Sequence, residues 1–365
     1  MPEPAAARGG ARLALILVAL LVALLVALAS AAAGGYLWTQ REFTAPGPAT
    51  ALSRIQVEPG MSLRTILTRL QAGGALRSAA AVEWYLRLHR LRPRVQAGEY
   101  ELPPAASPAQ ILALFAEGKV VLEQLTVVEG TAFQDFLDAL AQHPRVQHTL
   151  AGKGAEAVMA ALGHPRVRPE GEFFPDTYRF AGKTPDVVIL GLAYDSMQKA
   201  LANAWAVRRP DLPFDTPYQA LILASMVEKE AALKSERALI AGVFVNRLRR
   251  GMRLQSDPTV VYGLGDRYDG TIHTKDLTTD NPYNTYTREG LPPTPIALPG
   301  RESLLAAVQP AQTDALFFVA TGLNDGAHHF SRTLEEHNSA VQAYLKHLRN
   351  PPHEREPAGQ GGAHP

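Results

Sequence analysis

The chain has 365 residues, with 36 Lys and Arg against 35 Asp and Glu, a net charge of +1. So balanced a charge gives no electrostatic case for nucleic acid. The absence of cysteine excludes disulfides, thiolate chemistry and Cys-ligated zinc. The length suits one large or two modest domains, and 28 Pro with 29 Gly point to long, rigid connections.

Residues 1–12 are short, mostly small or polar, and basic at Arg8 and Arg12. Residues 13–38 then run without a charge and are almost entirely Leu, Ala and Val. At roughly 26 residues the run exceeds the ~20 needed to span a bilayer. Arginines before it, with Tyr36 and Trp38 after it, predict a transmembrane helix with a cytoplasmic N-terminus and the rest of the chain outside. Ala27-Leu28-Ala29 resembles a cleavage site, which keeps a signal peptide open, although signal cores usually run about 7–15 residues. Either reading exports the remainder of the chain.

Residues 39–50 read as a linker with Pro46 and Pro48. Residues 51–123 read as a strand–helix–helix–strand module. Strands are expected at 53–60 and 98–102, helices from Ser62 and over 79–91, and a further helix capped by Ser107-Pro108. That order is LysM-like, the plan of a glycan-binding module; a spacer with no ligand stays open. A strand over 125–130 and a helix capped by Thr131 come next. The run from Glu170 to Phe180, EGEFFPDTYRF, is dense in aromatics and acids. Phe173, Phe174, Tyr178 and Phe180 could stack on sugar rings or form core, and Glu172 and Asp176 are possible second carboxylates. A packing helix is expected over 186–207.

The centre of the sequence is Leu221 to Met252, read as two helices of which the first carries Glu228 and Glu230 among apolar and small residues. At ~100° per residue these two point roughly 200° apart, so they cannot share one cleft. Lys234 follows Glu230 by four residues, which suggests a surface ion pair. Glu228 has Ala224, Ser225, Ala231 and Ala232 around it and no basic partner nearby, leaving room for a ligand and favouring a desolvated general acid. Glu228 is therefore the expected working acid. The second helix, 236–250, should stop at Gly251. Asp257-Pro258 reads as an N-cap with Pro at the first helical position, and Gln255 as a polar wall residue. Residues 280–300 hold five prolines in a stiff loop where Tyr283, Asn284 and Tyr286 offer donors to a carbohydrate groove. A short helix at 303–308, a strand at 316–320, its return at 328–331 and a helix over 334–348 complete the pattern. His328-His329 lack further convincing ligands, so no metal is expected. Residues 349–365 read as a disordered tail.

Four runs carry a resemblance: ASMVEKEAA (Ala224 to Ala232), VFVNRLRRGMRLQSDPTVVYGLG (Val243 to Gly265), YNTYTREGLPPTPIALPG (Tyr283 to Gly300) and HFSRTLEEHN (His329 to Asn338). With EGEFFPDTYRF they resemble the endolytic murein transglycosylase family, in order, over about 170–348. The resemblance implies an α+β protein with a single N-terminal transmembrane helix, a small LysM-like βααβ module and a larger α+β catalytic domain over 124–348, its core motifs at 170–338. It implies cleavage of the MurNAc–GlcNAc β-1,4 bond within peptidoglycan strands, leaving 1,6-anhydroMurNAc ends. It further implies Glu228 as the family's acid, no cofactor or metal, a location in the inner membrane facing the periplasm, and peptidoglycan synthases as partners. A lytic enzyme needs one acid–base, because the sugar's C6 hydroxyl is the nucleophile, and that residue is expected with its pKa raised toward neutrality. Gln255, Tyr283, Asn284 and Tyr286 are the expected substrate-binding residues. Two alternatives stand: a muramidase-type hydrolase pairing Glu228 with Glu172, Asp176 or Asp257, and a non-catalytic peptidoglycan-binding scaffold.

Overall fold

The structure, a computed structural model, describes residues 6–349, with side chains from Leu15 onward. The start of the expected cytoplasmic segment and the expected tail beyond Arg349 lie outside the described residues. The chain divides into two compact units, 1–123 and 124–365.

Unit 1 begins with α1 (Ala6–Thr44), which is long and apolar enough to cross a membrane over Leu15–Thr44. The helix does not stop at Trp38. Gln40, Arg41 and Glu42 are good helix formers and no breaker occurs before Pro46, so the first part of the expected linker is helical. Then come β1 (Ser53–Val57), α2 (Leu63–Ala72), α3 (Ala79–Leu88), β2 (Gly98–Leu102) and α4 (Pro108–Glu117). β1 and β2 pair antiparallel with Ile55 opposite Tyr100. Ser62 and Ser78 accept the Thr65 and Ala81 amides, and Ser107 with Gln110 completes a capping box. Ile66, Leu67, Leu70, Val82, Tyr100 and Phe115 form the core, with Tyr100 and Phe115 edge to face at 4.6 Å.

Unit 2 is mostly helical, with short two-stranded sheets. Its elements are β3 (Leu122–Thr126), α5 (Phe133–Gln142), β4 (Val146–Gln147), α6 (Ala155–Ala161), β5 (Thr177–Ala181), β6 (Thr184–Pro185), α7 (Asp186–Ala206), α8 (Pro217–Glu230), α9 (Arg237–Arg249), α10 (Asp257–Leu264), α11 (Thr274–Thr278), α12 (Arg301–Val308), β7 (Phe317–Ala320), β8 (His328–Ser331) and α13 (Leu334–Arg349). β3 pairs with β5, β4 with β6 in parallel, and β7 with β8 antiparallel. Phe173, Tyr178 and Phe180 are core, packed with Phe133, Phe136, Ile189 and Leu190. Phe174 is half-buried beneath Arg301.

Two local readings change. The strand at the start of unit 2 ends at Thr126, because the amides of Val127 and Gly130 go to the carbonyls of Asp176 and Leu298. Thr131 does not cap α5. The Glu170 carboxylate accepts the Phe133 amide at 3.1 Å instead, reaching it from 37 residues away. Asp257 is the first residue of α10, not its cap, and Ser256 holds the cap position without a side-chain bond.

A second core surrounds α8. Its N-terminus has Pro217 and a Thr216/Gln219 capping box, and every residue from Ala220 to Val227 is buried. Burial on all sides removes any amphipathic stripe, and α8 emerges only at its last turn, Glu228 to Glu230. The Pro-rich loop is not a free groove wall: Ile296, Ala297 and Leu298 are buried, and the Ile296 amide bonds the Ser225 hydroxyl of α8 at 3.0 Å.

Gly171 takes φ +82°, and a Cβ there would stand 2.4 Å from the Pro295 Cβ. Gly171→Ala should therefore combine left-handed strain with a backbone-to-proline clash, lowering stability by about 2 kcal/mol or more in denaturant unfolding. A variant as stable as the parent would contradict this docking.

Candidate active site

The two glutamates of α8 do point to opposite sides, and their surroundings are the reverse of those expected. Glu228 has a basic partner. Arg237, at the start of α9, donates to Glu228 Oε1 at 2.6 Å, with side chains only 8% and 4% exposed. The Gly300 amide donates to Glu228 Oε2 at 2.9 Å. Arg237 also reaches Glu129 at 3.3 Å and Glu302 at 3.1 Å. Both oxygens of Glu228 are thus engaged by donors, and the expected absence of a basic partner does not hold. The basic partner lies nine residues on, across the break between α8 and α9, where a comparison of near neighbours does not reach.

Glu230 does not pair with Lys234. The i, i+4 relation holds only along a continuous helix, and α8 ends at Glu230. Lys234 bonds Glu302 at 3.6 Å. Glu230 instead turns into a cleft of about 490 Å³ lined by Arg247, Gln255, Asp257, Tyr286, Phe317, Leu334, His337 and Asn338 among others. The Ser256 hydroxyl donates to Glu230 Oε1 at 2.6 Å. Burial, with the nearby Asp257 carboxylate adding to it, pushes the Glu230 carboxyl up to about 7, against the pull of the Ser256 bond. Its place at the carbonyl end of α8 acts in the same direction.

The cleft floor is the turn after α9. Arg247 is buried and donates to the carbonyls of Leu316 (2.6 Å), Arg253 (2.9 Å) and Leu254 (3.1 Å), and to Gln255 Oε1 (3.0 Å). Its guanidinium lies over the Phe317 ring at 5.1 Å. Gln255 sits in the left-handed region at φ 53°, its amide bonded to the Thr285 carbonyl at 3.1 Å. A non-glycine residue held there is strained, and the surrounding bonds over-determine it. Gln255 lines the cleft with its Oε1 held by Arg247.

Tyr286 donates to Asp257 Oδ1 at 2.5 Å. Burial and then this carboxylate raise the Tyr286 phenol well above its ordinary value, so it stays a neutral donor. Asp257 is therefore occupied by a phenol and not by helix capping.

Gln255 and Tyr286 line the cleft as expected, but Tyr283 and Asn284 do not. Asn284 is fully buried, its amide donating to the carbonyls of Asp276 (3.0 Å), Leu277 (3.3 Å) and Thr279 (2.7 Å) while its oxygen accepts the Tyr286 amide. It braces the loop that carries Tyr286. Tyr283 shares a hydrogen bond with Thr294 at 2.9 Å and packs against Tyr262. Glu172 is buried and held by Gln198 at 2.7 Å, and Asp176 accepts the Thr177 amide, so neither stands beside Glu230 in the cleft. Among the described residues no cluster of metal-ligating side chains occurs.

The α13 wall was not singled out from sequence. His337 stacks on Phe317 at 5.2 Å, and its Nδ1 is buried without a hydrogen bond. Burial and the neighbouring Arg247 lower its pKa, which keeps the ring neutral. The run to Asn338 was visible, but helical period alone could not separate His337 and Asn338 from a solvated face.

The raised Glu230 has a stability consequence. Its folded pKa of about 7 lies above the unfolded value of about 4.3. The protonated form is thus favoured by folding, and its contribution is present below about pH 4.3 and lost as pH rises to about 7. Glu230→Gln removes that loss, so at pH 8 the variant should be more stable than the parent by on the order of 2 kcal/mol, with the difference vanishing near pH 4. Equal unfolding curves at pH 8 would contradict the burial of this carboxyl.

The chain matches the model of the YceG-like family over residues 55–343. It is 31% identical to the endolytic murein transglycosylase of Bacillus subtilis over 80% of this chain and 84% of the relative. It is 27% identical to the endolytic murein transglycosylase of Streptococcus pneumoniae D39, over 87% of this chain and 64% of that longer protein. A crystal structure of a YceG-like protein from Listeria monocytogenes aligns at 30% identity with a TM-score of 0.49, covering 79% of this chain and 98% of the other. A family match over most of the chain, with a relative at this identity and coverage, places it plainly: the chain belongs to the YceG-like family.

Proposed function

We propose that this protein is a peptidoglycan lytic transglycosylase that cuts glycan strands internally, with Glu230 as its acid–base. The observation that carries the reading is one raised carboxyl, Glu230, facing a cleft beside Gln255 and Tyr286. The names of its relatives in Bacillus subtilis and Streptococcus pneumoniae support the substrate and the class of reaction.

The step balances with a single carboxyl. Protonated Glu230 gives its proton to the oxygen linking MurNAc C1 to GlcNAc C4 as that C1–O bond breaks. The resulting carboxylate takes the proton of the MurNAc C6 hydroxyl, whose oxygen closes on C1. The products are a 1,6-anhydroMurNAc end and a free GlcNAc 4-hydroxyl, with no water consumed. A pKa near 7 suits a group that must be an acid first and a base second. Gln255 would donate to the sugar, Tyr286 would offer its ring face and the free lone pair of its hydroxyl, and Ser256 would hold the Glu230 carboxyl in place. Glu228 serves the site from outside by fixing the last turn of α8.

One further reading has an observation behind it. Asp257 lines the same cleft as Glu230, so a muramidase-type hydrolase with two carboxylates could be built there. Its products would carry reducing ends.

The anchored location supports the substrate. Arg8 and Arg12 before the uncharged run of α1, with Tyr36 and Trp38 at that run's far end, favour an N-terminus in the cytoplasm and unit 2 in the periplasm. The βααβ order of unit 1 supports reading it as a LysM-like glycan-binding module.

Mass spectrometry of muropeptides released from sacculi tests the reaction. Wild type should yield anhydro ends, lighter by one water than reducing ends; reducing ends would establish the hydrolase instead. Activity should fall as pH rises past about 7, as Glu230 loses its proton. Glu230→Gln should cost about 10²–10⁴-fold in rate with the fold intact. Glu228→Gln should instead unfold more readily, by about 2 kcal/mol, through the weakened charge-assisted bond to Arg237, which keeps Glu129 and Glu302, and keep measurable turnover. The reverse pattern, an inactive but stable Glu228→Gln beside an active Glu230→Gln, would move the acid back to Glu228.

A further inference from the structure

Within unit 1 the far end of α1 is packed along α3. Phe43 stacks on Tyr85 with ring centroids 3.8 Å apart, and Tyr36 lies 6.0 Å from His89. Gln40 Nε2 stands 3.5 Å from His89 Nε2. The pairing is antiparallel: as α3 advances from Tyr85 to His89, α1 retreats from Phe43 toward Tyr36. At ~1.5 Å rise per residue, Leu88 comes about level with Gln40. The uncharged run of α1 ends at Trp38. The end of α3 and the loop after it therefore lie within about one helical turn of the level where the apolar span stops, which is the depth of lipid headgroups.

From that level to about 9 Å beyond it, where the same register sets Trp84 opposite Thr44, the module presents apolar and cationic groups together. Trp84, Leu88 and Leu91 are 56%, 54% and 48% exposed. Trp84 and Leu88 share one face of α3 by their i, i+4 spacing, beside the Tyr85 and His89 positions that meet α1. Arg87, Arg90, Arg92 and Arg94 are all exposed around them; Glu83, the lone acid between residues 79 and 98, pairs with Arg87 at 2.7 Å and leaves an excess of three arginines. Arg90 takes φ 53° and ends α3 in the left-handed conformation, with the Leu91 amide returning to the Leu86 carbonyl at 2.8 Å. Apolar side chains with arginines at a headgroup plane are the composition of an interfacial membrane contact, not of a solvated helix face.

We propose that α3 and the loop after it form a second membrane contact. In it Trp84, Leu88 and Leu91 enter the headgroup region of an anionic phospholipid bilayer, and Arg87, Arg90, Arg92 and Arg94 bind its phosphates. The proposal rests on reading α1 as a membrane span. Together the two contacts fix the rotation and tilt of unit 1 over the bilayer, which a single helix leaves free.

The chain has no cysteine, so single labels are clean. Leu88→Cys and Leu91→Cys, and Glu117→Cys as an exposed position outside the patch, are each introduced into the full chain and labelled with a polarity-sensitive fluorophore. The protein is reconstituted in phosphatidylcholine vesicles with and without phosphatidylglycerol. In anionic vesicles positions 88 and 91 should shift to the blue and lose most of their emission to quencher-bearing lipids, while position 117 does neither. Replacing the four arginines by Gln should reverse the shift, as should neutral lipid. If the full chain fails to float with vesicles, the anchor reading falls and the proposal falls with it. If it floats while 88 and 91 remain as water-exposed as 117, the proposal alone is overturned. Shielding that tracks protein density in the vesicle and ignores headgroup charge would mean that a second copy covers the patch, and also overturns it.

Discussion

The ion pair between Arg237 and Glu228 is the constraint on which the cleft depends. Two helices, α8 and α9, meet at a break of a few residues, and both the acid and the turn carrying Gln255 depend on how that break is held. Arg237 ties α8 to Glu129 from the segment before α5 and to Glu302 at the start of α12. Gly300 closes the other oxygen of Glu228, and a Cβ at Gly300 would collide with the Glu129 carboxylate. Such a buried pair is weak evidence for net stability, since desolvation offsets the attraction, but losing Arg237 would strand the Glu228 charge. Its value here is positional. It fixes the last turn of α8, so that Glu230, two residues on, is presented to the opposite side.

That arrangement separates two glutamates of similar sequence context into different chemical objects. Glu228 is surrounded by donors, and Glu230 by a hydroxyl, a nearby carboxylate and little solvent. Environments that differ this far are what distinguish a structural carboxylate from an acid–base. Glu170 shows that a raised carboxyl alone is not enough. Burial lifts it to about 7 as well, yet it bonds the Phe133 amide and the Tyr262 hydroxyl and serves to cap α5 from a distance. What marks Glu230 is the combination of a raised pKa with an open cleft.

Much of the architecture was legible from sequence. The βααβ order of the first unit, the α7 and α13 spans, the Gly251 stop and the β7–β8 return arise from periodicity, caps and glycine. The helical wheel correctly put Glu228 and Glu230 on opposite faces. What was not legible is non-local. Local neighbours suggested that Glu228 lacked a cation, whereas Arg237 returns to it across the turn between α8 and α9. The Glu230–Lys234 pairing assumed a helix that in fact ends at Glu230. Asn284 read as a free amide, but its partners are three carbonyls placed by the fold of its own loop. Spacing reports which side of an element a residue occupies, while its partner is decided by the element packed against that side.

The same logic explains why Gln255 and Tyr286 survive as cleft residues when Tyr283 and Asn284 do not. All four look alike in sequence, as polar or phenolic groups near prolines. Arg247 takes one end of Gln255 and Asp257 takes the hydroxyl of Tyr286, and each leaves the rest of the side chain at the cleft. Asn284 spends its whole hydrogen-bonding capacity inside the loop, and Tyr283 spends its hydroxyl on Thr294. A group can bind a sugar only with capacity that the fold has not already used. Counting that residual capacity leaves Gln255 and the neutral Tyr286 ring beside Glu230, with the Asp257 carboxylate and Arg247 in the same cleft. A carbohydrate, with hydroxyls and acetamido groups that both donate and accept, can pair with such a mixture of donors and acceptors while bringing no charge of its own from its ring hydroxyls.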